Sequence, residues 1–293
     1  MRNESFNKVF IGSGLMAEIF LHALIRHKGD SPDDFYILGK NVERCKQLMN
    51  KYQIRATTNY NSFVSKAKVV VLAVDVTDTA DIPDLVGKIR GKVAPDTLIA
   101  SITPYLKIAQ IEQYFPDHPV MRLAVNLSAI SGTNVGTYCC GSISPMDTSL
   151  LAKFLVESLG TLIEVKNEDE FEKLWRMIFA QSTISYIALS CMIESALKAG
   201  LTPEQSRRIP IEVFNSIAET FKQKYKDDLL RRTVEYKNVI QTGLSISKEY
   251  GLMDIISRAL NMTPEKLQTN LARIHKMDAQ AEEDKYEFHY RGW

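Results

Sequence analysis

The sequence predicts an α/β chain in two parts, a doubly wound parallel sheet over residues 1–165 and an all-helical module over residues 166–293. Three observations predict it. Short β-branched runs alternate with helical stretches in the first part. Those runs are apolar without in-out alternation, as strands covered on both faces are. From "NEDEFEKLW" onward, apolar residues recur at three- and four-residue spacing instead.

The strand-like runs are "KVFIG" (8–12), "DFYILG" (34–39), "KVVVLAV" (68–74), "TLIASI" (97–102) and "PVMRLAV" (119–125). Two more, "VGTYCC" (135–140) and "GTLIEV" (160–165), can extend the sheet. Between them "SPMDTSLLAKFLVESLG" reads as a helix closed by Gly160. An acidic first turn after Asn167 then starts a long helix through Trp175, Phe179, Tyr186, Leu189 and Ile193 until Gly200 stops it. Thr202, Pro203 and Gln205 form a capping-box start for the next helix, and Thr263-Pro264 starts another. The long helix carries apolar residues on nearly every face, so burial from several sides is expected, with a second subunit completing the core. The tail "DAQAEEDKYEFHYRGW" holds Tyr286, Phe288, Tyr290 and Trp293 among its charges; it is either a frayed end or an arm that docks on a neighbour.

Composition narrows the class of partner. The chain has 293 residues, 45% of them hydrophobic, and a formal net charge of +1, which supports a sizeable core. Charge this balanced offers no basic field for nucleic acid and no polybasic membrane anchor, so a small-molecule substrate is expected. The N-terminal "MRNESFNK" lacks the apolar centre of a signal peptide, and no segment reads as long and apolar enough to span a bilayer. A cytoplasmic chain is expected. Cys45, Cys139, Cys140 and Cys191 match no metal spacing, and a vicinal pair rarely forms a structural disulfide, so buried, inert thiols are expected. His22, His27, His118, His275 and His289 are scattered, and no metal site is expected.

The stretch "VFIGSGLMAEIF" (9–20) carries the chemistry. Gly12 stands where the first strand turns into a helix, Gly14 where a side chain would keep the backbone away from a pyrophosphate, and Ala17 where a small residue lets helix and strand pack closely. First-turn amides and the helix dipole then bind phosphate oxygens. Because the motif follows a strand, opens a helix and heads an alternating α/β half, it points to a Rossmann-like dinucleotide site rather than a bare tight turn. The residue that reads the adenosine ribose stands at the end of the second strand. NAD sites usually place an acid there, whereas "LGKN" places Lys40 and Asn41, and a cation suits the 2′-phosphate of NADP. NADP is therefore expected, with NAD still open and a solvated loop lysine as the plain alternative. Asn59, in "TTNYNSF", either borders the adenine or is simply a turn former. Ala73, Val74 and Asp75, in "LAVDVTD", stand at a strand's C-terminal edge, where ligands of open α/β sheets lie, and Ser101, Thr103 and Tyr105 follow on the next edge. Asn126, after a buried strand, is placed to hold a nicotinamide carboxamide or a substrate carboxylate.

The order of these segments resembles the pyrroline-5-carboxylate reductase family, which reduces a cyclic imine to proline with NAD(P)H. "VFIGSGLMAE" is similar to that family's FIGxGNMA turn, with Leu15 in place of Asn. "VVVLAVD" is similar to VxLAVKP, with Asp75 and Val76 for Lys-Pro. "MRLAVNLSAISGTN" resembles RxMPNxPxxxxxG: Arg122, Asn126 and Gly132 match, while Val125 and Ser128 stand where prolines are expected. The helical half resembles the family's dimerisation domain, whose long helix crosses the subunit interface. There "AQSTISY" stands for GSGPAY, keeping a serine, a threonine and Tyr186. The substrate-carboxylate loop SPGGTT falls near "EYKNVIQTG" (235–243), where that motif is absent and Lys237 and Thr242 are either replacements or a solvated helix face.

The resemblance implies an NADP-dependent oxidoreductase acting on the C–N bond of a small cyclic imine, in proline biosynthesis, as a homodimer or higher homo-oligomer. It implies a phosphate turn of Gly12, Ser13, Gly14, Leu15 and Met16, with Lys40 on the 2′-phosphate and Val74 and Asp75 along the cofactor. Asn126, Ser182, Thr183 and Tyr186 would face the nicotinamide and substrate. Two other readings stay open: a nucleotide-binding protein without turnover on the same scaffold, and a β-hydroxyacid-type dehydrogenase, whose central-helix lysine would have to be Lys173 or Lys198.

Overall fold

A computed structural model of the chain describes residues 8–60, 63–74, 82–103, 106–143, 159–222, 242, 245–247 and 249–260. The chain forms two compact units, Met1–Phe179 and Ala180–Trp293. Asp75, Tyr105, Lys237, the expected helix before Leu159, the Thr263-Pro264 start and the aromatic tail lie outside the described residues.

In the first unit strands and helices alternate: β1 (Lys8–Ile11), α1 (Leu15–His22, prolonged by a wider π-helical turn, Ala23–Lys28), β2 (Phe35–Leu38), α2 (Val42–Tyr52), β3 (Arg55–Thr57) and β4 (Val69–Leu72). Next come α3 (Ile82–Ile89), β5 (Leu98–Ser101), α4 (Ile108–Tyr114), β6 (Val120–Ala124), β7 (Val135–Cys140) and β8 (Thr161–Glu164). The strands form one sheet in the order β3-β2-β1-β4-β5-β6-β7-β8. Its first six strands have the doubly wound order, with β1 between β2 and β4.

Alternation along each strand sends side chains to two separate cores. Phe10, Phe35, Ile37, Val69, Val71 and Met121 pack with Ala17, Phe20 and Leu24 from α1 and its extension, and with Leu48 from α2. Val9, Ile11, Leu38, Val70 and Ile99 face the other way, onto Leu85 and Ile89 of α3 and Ile111 of α4. Both faces are covered, which is why the strands read as unbroken apolar runs.

One feature departs from a purely parallel reading: β7 runs antiparallel to β6 before β8 resumes parallel pairing with β7. A short edge strand, β3, adds to the sheet in parallel beside β2. The β6–β7 connection is a ten-residue hairpin link, 125–134, closed internally by the Asn126 amide donating to Asn134 Oδ1 at 2.9 Å. Gly160, at the start of the β8 segment, has φ +96°, and a Cβ there would lie 2.5 Å from the Asn134 carbonyl oxygen, so the position admits no side chain.

The helices α5 (Glu168–Lys198), α6 (Pro203–Lys222) and α7 (Leu252–Leu260) complete the described elements. Asn167 caps α5 by accepting the Glu170 amide at 2.9 Å. Thr202 and Gln205 form the expected reciprocal box, at 3.1 and 3.2 Å. The division between units falls within α5.

Of α5, Phe171, Trp175 and Ile178 are buried, whereas Tyr186, Ile187, Met192 and Leu197 are exposed in the single chain. Two expectations are corrected. By length and composition alone, α5 is long and apolar enough to cross a membrane, contrary to the expectation that no segment is. Its charges gather at the two ends, and Met177 to Ile193 carries none. Finally, only Cys45 and Cys139 are buried; Cys140 and Cys191 are exposed.

Candidate nucleotide-binding site

The glycine turn is built by backbone contact. Gly12 has φ +117°, and a Cβ there would lie 2.2 Å from the Ala73 carbonyl oxygen, so the crossing of β1 and β4 admits no side chain. Gly14 differs. Its φ is −72°, and a Cβ there would meet nothing within 4 Å. Neither backbone conformation nor packing requires glycine at that position. Because Gly14 precedes α1 and supplies no side-chain cap, the first-turn amides are left to an external acceptor.

The end of β2 folds against the same turn. Gly39 admits Ser13, since a Cβ on Gly39 would lie 2.6 Å from Ser13 Oγ and 2.9 Å from Cys45 Sγ. Asn41 caps α2 by accepting the Arg44 amide at 2.9 Å. The cap returns the Arg44 side chain to the turn, where Nε donates to the Ser13 carbonyl at 3.1 Å. Arg44 also pairs with Glu18 of α1.

These elements enclose a pocket of about 330 Å³ lined by Gly12, Ser13, Gly14, Lys40, Asn41, Arg44, Tyr60, Ala73, Val74 and Leu85. Seven of the expected cofactor residues therefore come together: Gly12, Ser13, Gly14, Lys40, Asn41, Ala73 and Val74. At β4 the pocket edge is braced by Thr103, whose Oγ1 accepts the Val74 amide at 3.2 Å and lies 3.2 Å from the Leu72 carbonyl. Leu15, Met16 and Asn59 are not in the lining; Leu15 is 60% exposed, and the Asn59 amide donates to Thr57 Oγ1 at 3.1 Å.

Sequence reasoning missed Arg44, Tyr60 and Leu85. An arginine three residues after a capping asparagine was the signal for Arg44. With Lys40 it places two cations in the lining, and among the described lining residues there is no acidic side chain. Burial pushes the Tyr60 hydroxyl up, opposed by the nearby charge of Lys40.

The substrate-side candidates lie elsewhere in the chain. Asn126 is buried, with its Oδ1 accepting the Ser128 amide at 2.9 Å and its Nδ2 donating to the Val135 carbonyl at 3.2 Å. Ser182, Thr183 and Tyr186 stand on α5 in the second unit, and Tyr186 is 61% exposed. Thr242 is helical and exposed.

The family described as "NADP oxidoreductase coenzyme F420-dependent" matches residues 8–103. Pyrroline-5-carboxylate reductase 2 of Bacillus subtilis is 25% identical over 232 residues, 77% of this chain and 80% of that protein. The chain is thus similar to pyrroline-5-carboxylate reductases over 73–77% of its length, at 24–25% identity. Solved reductase structures share the fold. The pyrroline carboxylate reductase of Plasmodium falciparum, with NADP bound, has a TM-score of 0.76 at 16% identity, covering 88% of this chain and 95% of its own. That of Coxiella burnetii has a TM-score of 0.70 at 19% identity, with the same coverages. Against these reductases, the match runs well past the glycine turn into the helical half.

Proposed function

We propose that the chain is a cytoplasmic NADPH-dependent oxidoreductase that reduces a small cyclic imine of the pyrroline-5-carboxylate type and works as a homodimer. The observation that carries this reading is the Gly14 position, where a side chain would meet no protein atom within 4 Å and would instead fill the cradle before α1. The residues present fit the dinucleotide. The turn from Gly12 to Met16 would hold the pyrophosphate on backbone amides, Lys40 and Arg44 the 2′-phosphate, and Ala73, Val74 and Asp75 would flank the nucleotide.

When bound, NADPH supplies a hydride for an iminium carbon. An imine already protonated in water needs no general acid from the protein, so this chain's task is to orient the substrate and keep water out. Asn126 braces the connection after β6 through its bonds to Ser128 and Val135. Ser182, Thr183 and Tyr186 would contribute hydroxyls toward the substrate from α5. The exposed apolar faces of α5 and α6 support a second subunit, because they carry Ile187, Met192, Ile209, Ile217 and Phe221 to the surface.

The test is oxidation of NADPH, with NADH alongside, by the purified chain supplied with pyrroline-5-carboxylate. Turnover with NADPH at an ordinary enzymatic rate supports the reading. NADPH binding without turnover across a panel of cyclic imines would leave a nucleotide-binding protein, in line with the missing glycine-rich motif in "EYKNVIQTG".

A further inference from the structure

Glu18 is an unexpected residue to find in the first turn of a helix that is to receive a diphosphate. Its carboxylate is 13% exposed and is gripped from three sides: by Arg44 Nη2, by Lys51 Nζ at 2.8 Å and by the Tyr52 hydroxyl at 3.2 Å. Burial pushes this carboxyl up, but the hydrogen bonds and charges of Lys51 and Arg44 outweigh burial and hold it below its ordinary value. It is therefore ionised at neutral pH, one anion between two cations.

Arg44 is the cation that also lines the pocket. A guanidinium has five N–H donors in a planar fork. Here Nε is held by the Ser13 carbonyl at 3.1 Å, Nη2 by Glu18, and Nη1 by Gln47 Oε1 at 3.2 Å. The side chain is thus fixed edge by edge, with Glu18 its charged anchor. A fixed fork recognises phosphate better than a mobile one, because less rotamer freedom is lost on binding.

We infer that Glu18 is a positioning residue for cofactor choice: by anchoring Arg44 against the Ser13 carbonyl, it presents the guanidinium to a 2′-phosphate and so favours NADPH over NADH. The inference rests on the reading of the pocket as an NADPH site.

The test measures dissociation constants of NADPH and NADH by fluorescence titration of the full chain, together with thermal midpoints, for Glu18→Gln, Arg44→Ala and the double variant. Glu18→Gln is expected to weaken NADPH about tenfold and to leave NADH within about twofold. In the Arg44→Ala background it should add nothing, since the residue it positions is gone. Equal losses for both nucleotides, or a loss that persists without Arg44, would overturn the inference in favour of a structural carboxylate. Tighter NADPH binding would also overturn it, since Glu18 would then act as a repelling charge. If Glu18→Gln does not fold, Arg44→Lys serves: it keeps the charge but loses the fork, and retention of full NADPH preference would overturn the idea. A different failure marks the cofactor reading itself, namely Lys40→Ala and Arg44→Ala each leaving the NADPH to NADH ratio unchanged.

Discussion

Arg122 Nη1 lies 2.6 Å from Glu168 Oε1, and that same oxygen accepts the Ile108 amide at 2.8 Å. A second carboxylate, Glu172, reaches Arg122 at 3.0 Å, and the guanidinium lies 4.5 Å over the Phe171 ring. One buried cation thus joins β6, the start of α4 and the start of α5. Arg122→Met should cost roughly 3 kcal/mol, because it strands two carboxylates that are each only about a quarter exposed or less. Chemical denaturation measures it, and Glu168→Gln in the Met background should recover part of the loss.

The two turn glycines should separate folding from binding. Gly12→Ala forces a Cβ onto the Ala73 carbonyl and a strained φ, so a loss of about 2 kcal/mol or more and a lower thermal midpoint are expected. Gly14→Asp should leave the midpoint nearly unchanged while abolishing NADPH binding, since its carboxylate would face the pyrophosphate. A melting curve and a titration on each variant decide the matter.

The Glu18 cluster also predicts a pH dependence of stability. Its folded-state value lies below the ordinary 4.5, so its contribution is fully present above the unfolded value and is lost as pH falls through the folded one. Glu18→Gln should therefore be less stable than the parent chain at pH 7, with the difference shrinking below about pH 4.5. Parallel urea denaturation curves at pH 7, 5 and 3.5 would test the sign.

Thiol reactivity should follow burial. Cys139 is buried, and burial pushes its thiol up to about 11, reinforced by the neighbouring Cys140. Cys45 is also buried, with its thiol raised by burial. Native protein at pH 8 should therefore leave Cys45 and Cys139 unlabelled by a water-soluble disulfide reagent, while denatured protein labels all four. Peptide mapping identifies the sites.

The apolar faces of the helical half predict an oligomer. Light scattering should give at least twice the chain mass, and Ile217→Asp, a change at a residue 51% exposed in the single chain, should shift it toward monomer with the thermal midpoint of the first unit retained. A chain that stays monomeric in water, or partitions into vesicles, would overturn the dimer reading.

The doubly wound sheet was legible because strands buried on both faces leave unbroken apolar runs, and Val9, Val70 and Ile99 do. β3 was not, since "RAT" is three residues long at a half-exposed edge. The glycine turn was legible as a motif, yet Arg44 was not, because its return to Ser13 depends on Gly39 letting Ser13 settle on the end of β2, a contact between segments distant in sequence. The apolar faces of α5 were legible, but what covers them was not, for a related reason. An apolar face records that something covers it, not whether the cover belongs to the same chain.

The reversal at β6–β7 bears on how the sheet comes together. Each parallel pair in the first six strands encloses a crossover, whereas β6 and β7 are joined by ten residues, stitched by Asn126, Asn134 and Val135. Loop-closure entropy and contact order both favour such a local pair. The hairpin is thus the part of the sheet best suited to forming while β1 and β4 are still apart, and the glycine turn, which needs both, must wait for them.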